Sequence, residues 1–148
     1  ERLVLWTHAV AGAAAAERIG LTMRAYVAGP MTGYPELNFP LFHRVTAALR
    51  QNGIEAINPA EINPDPGAKW EDCMRSDLRE LLTCDSIVML PGWSKSRGAS
   101  LEHHVASTLG MQVLDALDLC PSAFVTAPPT SYQAPSEVST HERAALTT

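Results

Sequence analysis

Two carboxylates and one phenol in this chain have the setting for chemistry. Glu102 ends the run Ser96-Arg97-Gly98-Ala99-Ser100-Leu101-Glu102, which follows the apolar run Ser86-Ile87-Val88-Met89-Leu90 after a short gap. That pattern predicts a buried strand, a glycine-containing loop, and an acid in the first turn of a helix. It places Glu102 at the mouth of a sheet, where α/β proteins bind their ligands. The amides of such a turn hold anions, with Ser96, Gly98 and Ala99 as hydroxyl and amide donors and Arg97 as added charge. Standing alone, Glu102 reads as a favourable helix-start glutamate in the field of the helix dipole. The loop before it raises its functional weight.

Asp77 lies on a predicted helix within the apolar stripe Trp70, Met74, Leu78, Leu81. An inward aspartate must find a partner or change its pKa. The bland alternative is an acid at the edge of the stripe, paired with Arg75 or Arg79. Tyr26 alternates with Val27 on a short apolar strand that ends at Gly29, at the same sheet edge as the Gly98 loop. Glycine there lets a ligand approach the backbone. The tyrosine reads either as a core residue with a satisfied hydroxyl or as a hydroxyl reaching a site.

The elements that must position these residues alternate along the chain. Arg24–Ala28 is a strand, and Gly29-Pro30-Met31-Thr32-Gly33 breaks it. A helix begins near Pro40 and carries Leu41, Phe42, Val45, Ala48 and Leu49 at helical spacing, with Gly53 as its stop. Ile54–Asn58 is the second strand. Residues 59–68 hold three prolines and a glycine and read as a loop. A second helix follows over about Lys69–Thr83, then the strand Ser86–Leu90. A third helix spans about Ala99–Leu109, stopped by Gly110, and Met111–Leu114 is a last strand. The expected fold is α/β: a small Rossmann-like, flavodoxin-like three-layer domain with a mainly parallel sheet of four to five strands. It should occupy residues 23–119. Residues 1–22, Ala-rich and lying before Met23, read as an extension or upstream-translated segment, or else as a helix packed on the domain. Residues 120–148, rich in Pro, Ser, Thr and Ala without periodicity, read as a disordered tail.

Composition narrows the partners. The chain has 148 residues, 46% of them hydrophobic, and a net charge of −5 without a Lys/Arg block. A nucleic-acid surface needs clustered cations and is not expected. The apolar run in residues 9–17 is too short for a membrane span and lacks the basic flank of a signal peptide. Cys73, Cys84 and Cys120 show no CxxC spacing, which fits free thiols in a reducing cytosol. His103 and His104 are adjacent on a helix and point apart, so no metal site is expected, and no cofactor is called for.

Taken in order, Tyr26-Val27-Ala28-Gly29-Pro30-Met31-Thr32-Gly33, Asn38-Phe39-Pro40, Asn58-Pro59, Asp77-Leu78, Cys84-Asp85 and Ser96-x-Gly98-x3-Glu102 resemble the nucleoside 2-deoxyribosyltransferase superfamily. The resemblance covers about residues 23–114 and leans to its DUF4406 branch of small bacterial and phage proteins. It implies cleavage of an N-glycosidic bond. Glu102 would attack the anomeric carbon, Tyr26 would position that carboxylate, and Asp77 would give a proton to the leaving base, as retaining glycoside chemistry requires. It further implies a homodimer or larger homo-oligomer and a small nucleoside or nucleotide as partner. Ser96 stands where transferases acting on free nucleosides carry an acid. That favours a nucleoside 5′-monophosphate and hydrolysis, with Gly29, Met31, Thr32, Ser96, Arg97, Gly98 and Ala99 as the binding residues. The Pro30-Met31-Thr32 stretch lacks the basic residue that grips phosphate in the hydrolase branch, and Arg97 would have to compensate. Base exchange, and nucleotide binding without turnover, are the alternatives.

Overall fold

Strand β1 (Arg24–Ala28) lies at the middle of a four-stranded sheet because its side chains are apolar on both faces. A computed structural model describes residues 23–125 of the chain. The strands β1, β2 (Glu55–Ile57), β3 (Ser86–Met89) and β4 (Gln112–Asp115) run parallel in the order β2-β1-β3-β4. Tyr26 stands opposite Ile57 on one side and Ile87 on the other. Pleat alternation then divides the core in two. Ala25, Val27, Val88 and Leu90 face one layer, and Tyr26, Ala28, Ile87 and Met89 face the other.

The first layer is α1 (Phe39–Gln51), which buries Phe42, Val45 and Leu49. The second is formed by α3 (Trp70–Leu81) and α4 (Arg97–Thr108), which bury Leu81 and Ala106 against the sheet. Two further helices are single turns, α2 (Pro59–Ile62) and α5 (Ala116–Leu119). The result is a Rossmann-like three-layer α/β fold. Gly53 and Gly110, both at positive φ, end the turns that follow α1 and α4 as their positions in the sequence predict.

The structure departs from the sequence expectations at four places. Helix α4 starts at Arg97, two residues earlier than predicted, because the Ser96 hydroxyl caps it by accepting from the Ala99 N–H at 3.3 Å. Gly98 therefore sits inside the helix, and Glu102 lies in its second turn, beyond the strongest reach of the dipole. The stretch read as a loop from residue 59 opens with α2, where the Asn58 side chain accepts from Ala60 N–H and Pro59 stands in the first turn. The segment before α1 is a 3₁₀ turn over Pro35–Asn38 with Glu36, Leu37 and Asn38 all left-handed. Finally, packing continues past residue 119: Cys120 is buried, and a 3₁₀ turn over Pro121–Phe124 seats Ala123 against the α1 layer. The expectations for residues 1–22, and for the tail beyond residue 125, fall outside the described residues.

Gly29 has a packing role beside its predicted place at the site. It borders the cavity described below, but a Cβ there would stand 2.6 Å from the Leu90 Cβ, so its missing side chain serves the packing of β1 against the end of β3. Gly29→Ala should destabilise the protein by about 1–3 kcal/mol through overpacking. Urea unfolding would register this as a lower midpoint at unchanged slope, and an unchanged midpoint would contradict the account.

Candidate active site

The carboxyl ends of β1 and β3 open into a cavity of about 640 Å³. Its walls come from the loop after β1, the segment between α2 and α3, the inward face of α3, and the start of α4. Glu102 and Asp77 both line it, although they are 25 residues apart in sequence and ride on different helices. Each is buried, at 5% and 6% exposure. The apolar stripe of α3 faces the sheet, which turns Asp77 inward with Met74 and Leu81.

Tyr26 connects the site to the sheet. Its ring is fully buried in the layer beneath α3 and α4, and its hydroxyl donates to Glu102 Oε1 at 2.7 Å. Tyr26 is thus a core residue whose hydroxyl is satisfied by a carboxyl that borders the cavity. Asp77 Oδ1 accepts from Asn63 Nδ2 at 2.8 Å. The surface pairing with Arg75 does not occur, because Arg75 is bound to Asp72 at 3.0 Å on the exposed side of α3.

Burial governs the protons. Desolvation pushes Glu102 up to about 8; the Tyr26 hydrogen bond opposes this and the nearby Asp77 adds to it. Desolvation likewise pushes Asp77 up to about 7, opposed by the Asn63 hydrogen bond and by the nearby Tyr26 hydroxyl. Burial and the two carboxylates raise Tyr26 well above an ordinary phenol, so it remains a donor. The two acids share one cavity and titrate as a pair. Burial favours the protonated form of both.

A different chemistry occupies the other wall. Arg97 lies with its guanidinium carbon 3.8 Å above the Trp70 ring, a cation–π contact that fixes it at the start of α4. Lys95 brings a second cation to the same wall. Ser96, Gly98 and Ala99 border it, as do Met31 and Thr32 from the loop after β1. The Ala99 amide is taken by the Ser96 hydroxyl. The first-turn amides of Arg97 and Gly98 have no intrahelical partner. Gly98 lets Met74 and Trp70 close onto the helix: a Cβ there would meet Met74 Sδ at 3.2 Å.

Nine of the ten predicted site residues line the cavity, and the tenth, Tyr26, bonds through its hydroxyl to one of them, Glu102. Asn63, Trp70 and Lys95 were not singled out by the sequence. Trp70 belongs to the apolar stripe and Lys95 neighbours the Ser96 motif, so both carried a local signal. Asn63 carried none, since its partner lies on another element. Among the described residues no three His, Cys, Asp or Glu side chains gather as metal ligands, and no helix is long and apolar enough to cross a membrane. Cys73, Cys84 and Cys120 are free thiols.

Fold and cavity define a small Rossmann-like α/β protein with a buried carboxyl pair at the carboxyl edge of its sheet. Residues 23–115, more than half of the chain, match the family described as Domain of unknown function (DUF4406), and the chain belongs to that family. No curated protein matches it.

The raised acids make stability depend on pH. A carboxyl whose folded pKa lies above its unfolded value holds a proton that the unfolded chain has already lost. Stability due to Glu102 is therefore highest below about 4.5 and falls as pH rises toward about 8. Glu102→Gln, which keeps an acceptor for Tyr26 but carries no charge, should stabilise the protein at pH 9 relative to wild type by on the order of 2–4 kcal/mol, and far less at pH 4. Thermal unfolding across pH measures this, and an equal effect at both pH values would show that Glu102 is not held neutral by burial.

Proposed function

We propose that this protein hydrolyses the N-glycosidic bond of a nucleoside 5′-monophosphate through a glycosyl ester on Glu102. The observation that carries the reading is the arrangement of two buried carboxyls in one cavity, one of them oriented by the Tyr26 hydroxyl. The likeness of the motifs to the nucleoside 2-deoxyribosyltransferase superfamily supports it.

In the first step the Glu102 carboxylate attacks the anomeric carbon. The carbon–nitrogen bond breaks, its electron pair goes to the base, and the Asp77 proton goes to the base nitrogen. The transition state carries oxocarbenium character, which a nearby carboxylate stabilises. In the second step Asp77, now ionised, takes a proton from water as that water attacks the anomeric carbon. The ester breaks, releasing the sugar phosphate and restoring both carboxyls to their first state. Tyr26 donates to the ionised form of Glu102, which counters the desolvation that would keep it neutral.

The cationic wall supports a phosphate. Arg97 and Lys95 supply charge, the Ser96 hydroxyl accepts from Ala99 N–H and keeps its own proton to donate, and Arg97 and Gly98, whose amides have no partner within the helix, border the cavity. A substrate anion placed there balances the field of the two acids opposite. The reading carries with it a small-molecule nucleotide as partner, a homo-oligomer, and the cytoplasm as compartment.

One observation favours a second reading, nucleotide binding without turnover: burial pushes Glu102 up to about 8, so the unliganded protein near neutral pH holds it largely protonated. A panel of nucleosides and their 5′-monophosphates, incubated with the protein and resolved by chromatography, separates the two. Hydrolysis releases free base from a monophosphate, Glu102→Ala abolishes release while the circular dichroism stays native, and an added second base leaves the product unchanged. An intact nucleotide that nonetheless raises the unfolding temperature would replace catalysis with binding. A new nucleoside formed with the added base would replace hydrolysis with exchange.

The phosphate assignment has its own check. Arg97→Ala should raise KM for the monophosphate by about tenfold, as expected for losing one charge-assisted hydrogen bond, and leave KM for the matching nucleoside unaltered. Equal losses on both would place Arg97 elsewhere in recognition.

A further inference from the structure

Asn63 is the one polar side chain at the carboxyl pair to which neither the motifs nor the proposed mechanism assigns a part. It follows α2, a single turn whose position in the fold is fixed firmly. Asn58, Pro59 and Ala60 are buried, Asn58 Oδ1 accepts from Ala60 N–H at 2.9 Å, and Asn58 Nδ2 meets His43 Nδ1 of α1 at 3.1 Å. The Asn63 N–H bonds to the Pro59 carbonyl at 3.0 Å, which closes the turn. This shelf carries the Asn63 amide across to α3, where Nδ2 donates to Asp77 Oδ1 at 2.8 Å on the cavity wall.

We propose that Asn63 is a positioning residue that makes Asp77 a directed acid: by donating to Oδ1 it fixes that oxygen as the carbonyl of the neutral carboxyl, so that the transferable proton resides on Oδ2. A protonated carboxyl accepts hydrogen bonds far better through its carbonyl oxygen than through its hydroxyl oxygen, so an N–H donor at Oδ1 selects one of two otherwise equivalent tautomers. The same contact favours the ionised form that Asp77 must adopt when it hands the proton over, because a carboxylate accepts N–H bonds more strongly than the acid does. Asn63 thus acts on both halves of the reaction through Asp77. Glu102 shows the matching division on the other side: Oε1 is engaged by Tyr26, leaving Oε2 for the anomeric carbon.

The other groups that face Asp77 do not duplicate the role. The Tyr26 hydroxyl on β1 also lies near Asp77 and opposes its rise, but its one proton is directed to Glu102 Oε1. Glu102 on α4 is itself an acid, and Cys73, one turn earlier on α3, has its thiol raised by burial and by the Asp77 charge. Asp65 borders the same cavity but accepts from the Gly67 N–H at 2.8 Å. Among these groups, Asn63 is the N–H donor given to the aspartate.

The inference rests on Asp77 being the acid of the proposed reaction, and its test is readable without turnover. The carboxyl carbon of Asp77 is titrated by NMR in wild type, in Asn63→Leu, which keeps the volume and removes the donor, and in Asn63→Ala. Both variants should titrate about one pH unit higher than wild type, with Asn63→Gln returning part of the way. If wild type releases base, the alkaline limb of its pH–rate profile should move up with the titration in the same variants, and kcat should fall at least tenfold with KM little altered. A titration midpoint that stays in place or moves down in either folded variant overturns the role of Asn63, whatever the protein does to nucleotides. A raised midpoint in a protein that releases no base from any substrate keeps Asn63 as the partner of Asp77 and overturns the proposed reaction, and with it the directed-acid role.

Discussion

The hydrogen bond between Tyr26 and Glu102 ties the chemistry of this protein to its fold. It joins the central strand to α4 across the buried layer, at 2.7 Å and away from water. A carboxyl placed there without it would be a desolvated group with little to hold it, and such a group costs several kcal/mol or gives up its charge. The phenol answers that demand while filling core volume beside Ile87 and Met89. Strand β1 thus has a double assignment. One face, Ala25 and Val27, supplies nothing but packing to α1. The other face supplies the hydroxyl on which Glu102 depends.

The sheet also separates support from function along its length. At the amino end of β1, the Arg24 backbone N–H donates to Asp85, and the Arg24 guanidinium pairs with Glu55 on β2 and Glu80 near the end of α3. These partly exposed contacts hold strand and helix ends together and individually contribute little. At the carboxyl end the chain leaves β1 and β3 in loops, and the gap between them becomes the cavity. The acids enter it from helices packed on the sheet rather than from the loops themselves. Their positions are set by α3 and α4 as rigid bodies, a sounder basis for precise placement than a mobile loop.

Much of this was legible in the sequence because the signals were local and periodic. The strands are short apolar runs, the helices α1 and α3 carry clear stripes, and Gly53 and Gly110 mark their own turns. Asp77 stood out as the polar residue in an apolar stripe, and its burial followed. What was misread has definable causes. The start of α4 was set two residues late because Gly98 reads as loop, whereas the Ser96 cap and the contact with Met74 keep it helical. The turn α2 was hidden among prolines, one of which begins it. The packing of Cys120 and Ala123 on α1 was missed because a single turn leaves no period to detect. Asn63 was invisible in principle: its meaning comes from a contact with a helix fourteen residues on, which no local pattern encodes.

Gly98 carries a consequence that reaches beyond its own turn. Met74 Sδ crowds the space a side chain would take there, at 3.2 Å from where a Cβ would stand, and the Trp70 indole lies in ordinary contact beside it. Asp77 rides on one helix, one turn past Met74, and Glu102 rides on the other, one turn past Gly98. A methyl added at position 98 would press on Met74 Sδ, so the Met74 side chain, on the helix that carries Asp77, would have to give by a few tenths of an ångström. The missing methyl at position 98 thus leaves Met74 its place between the two helices that carry the acids.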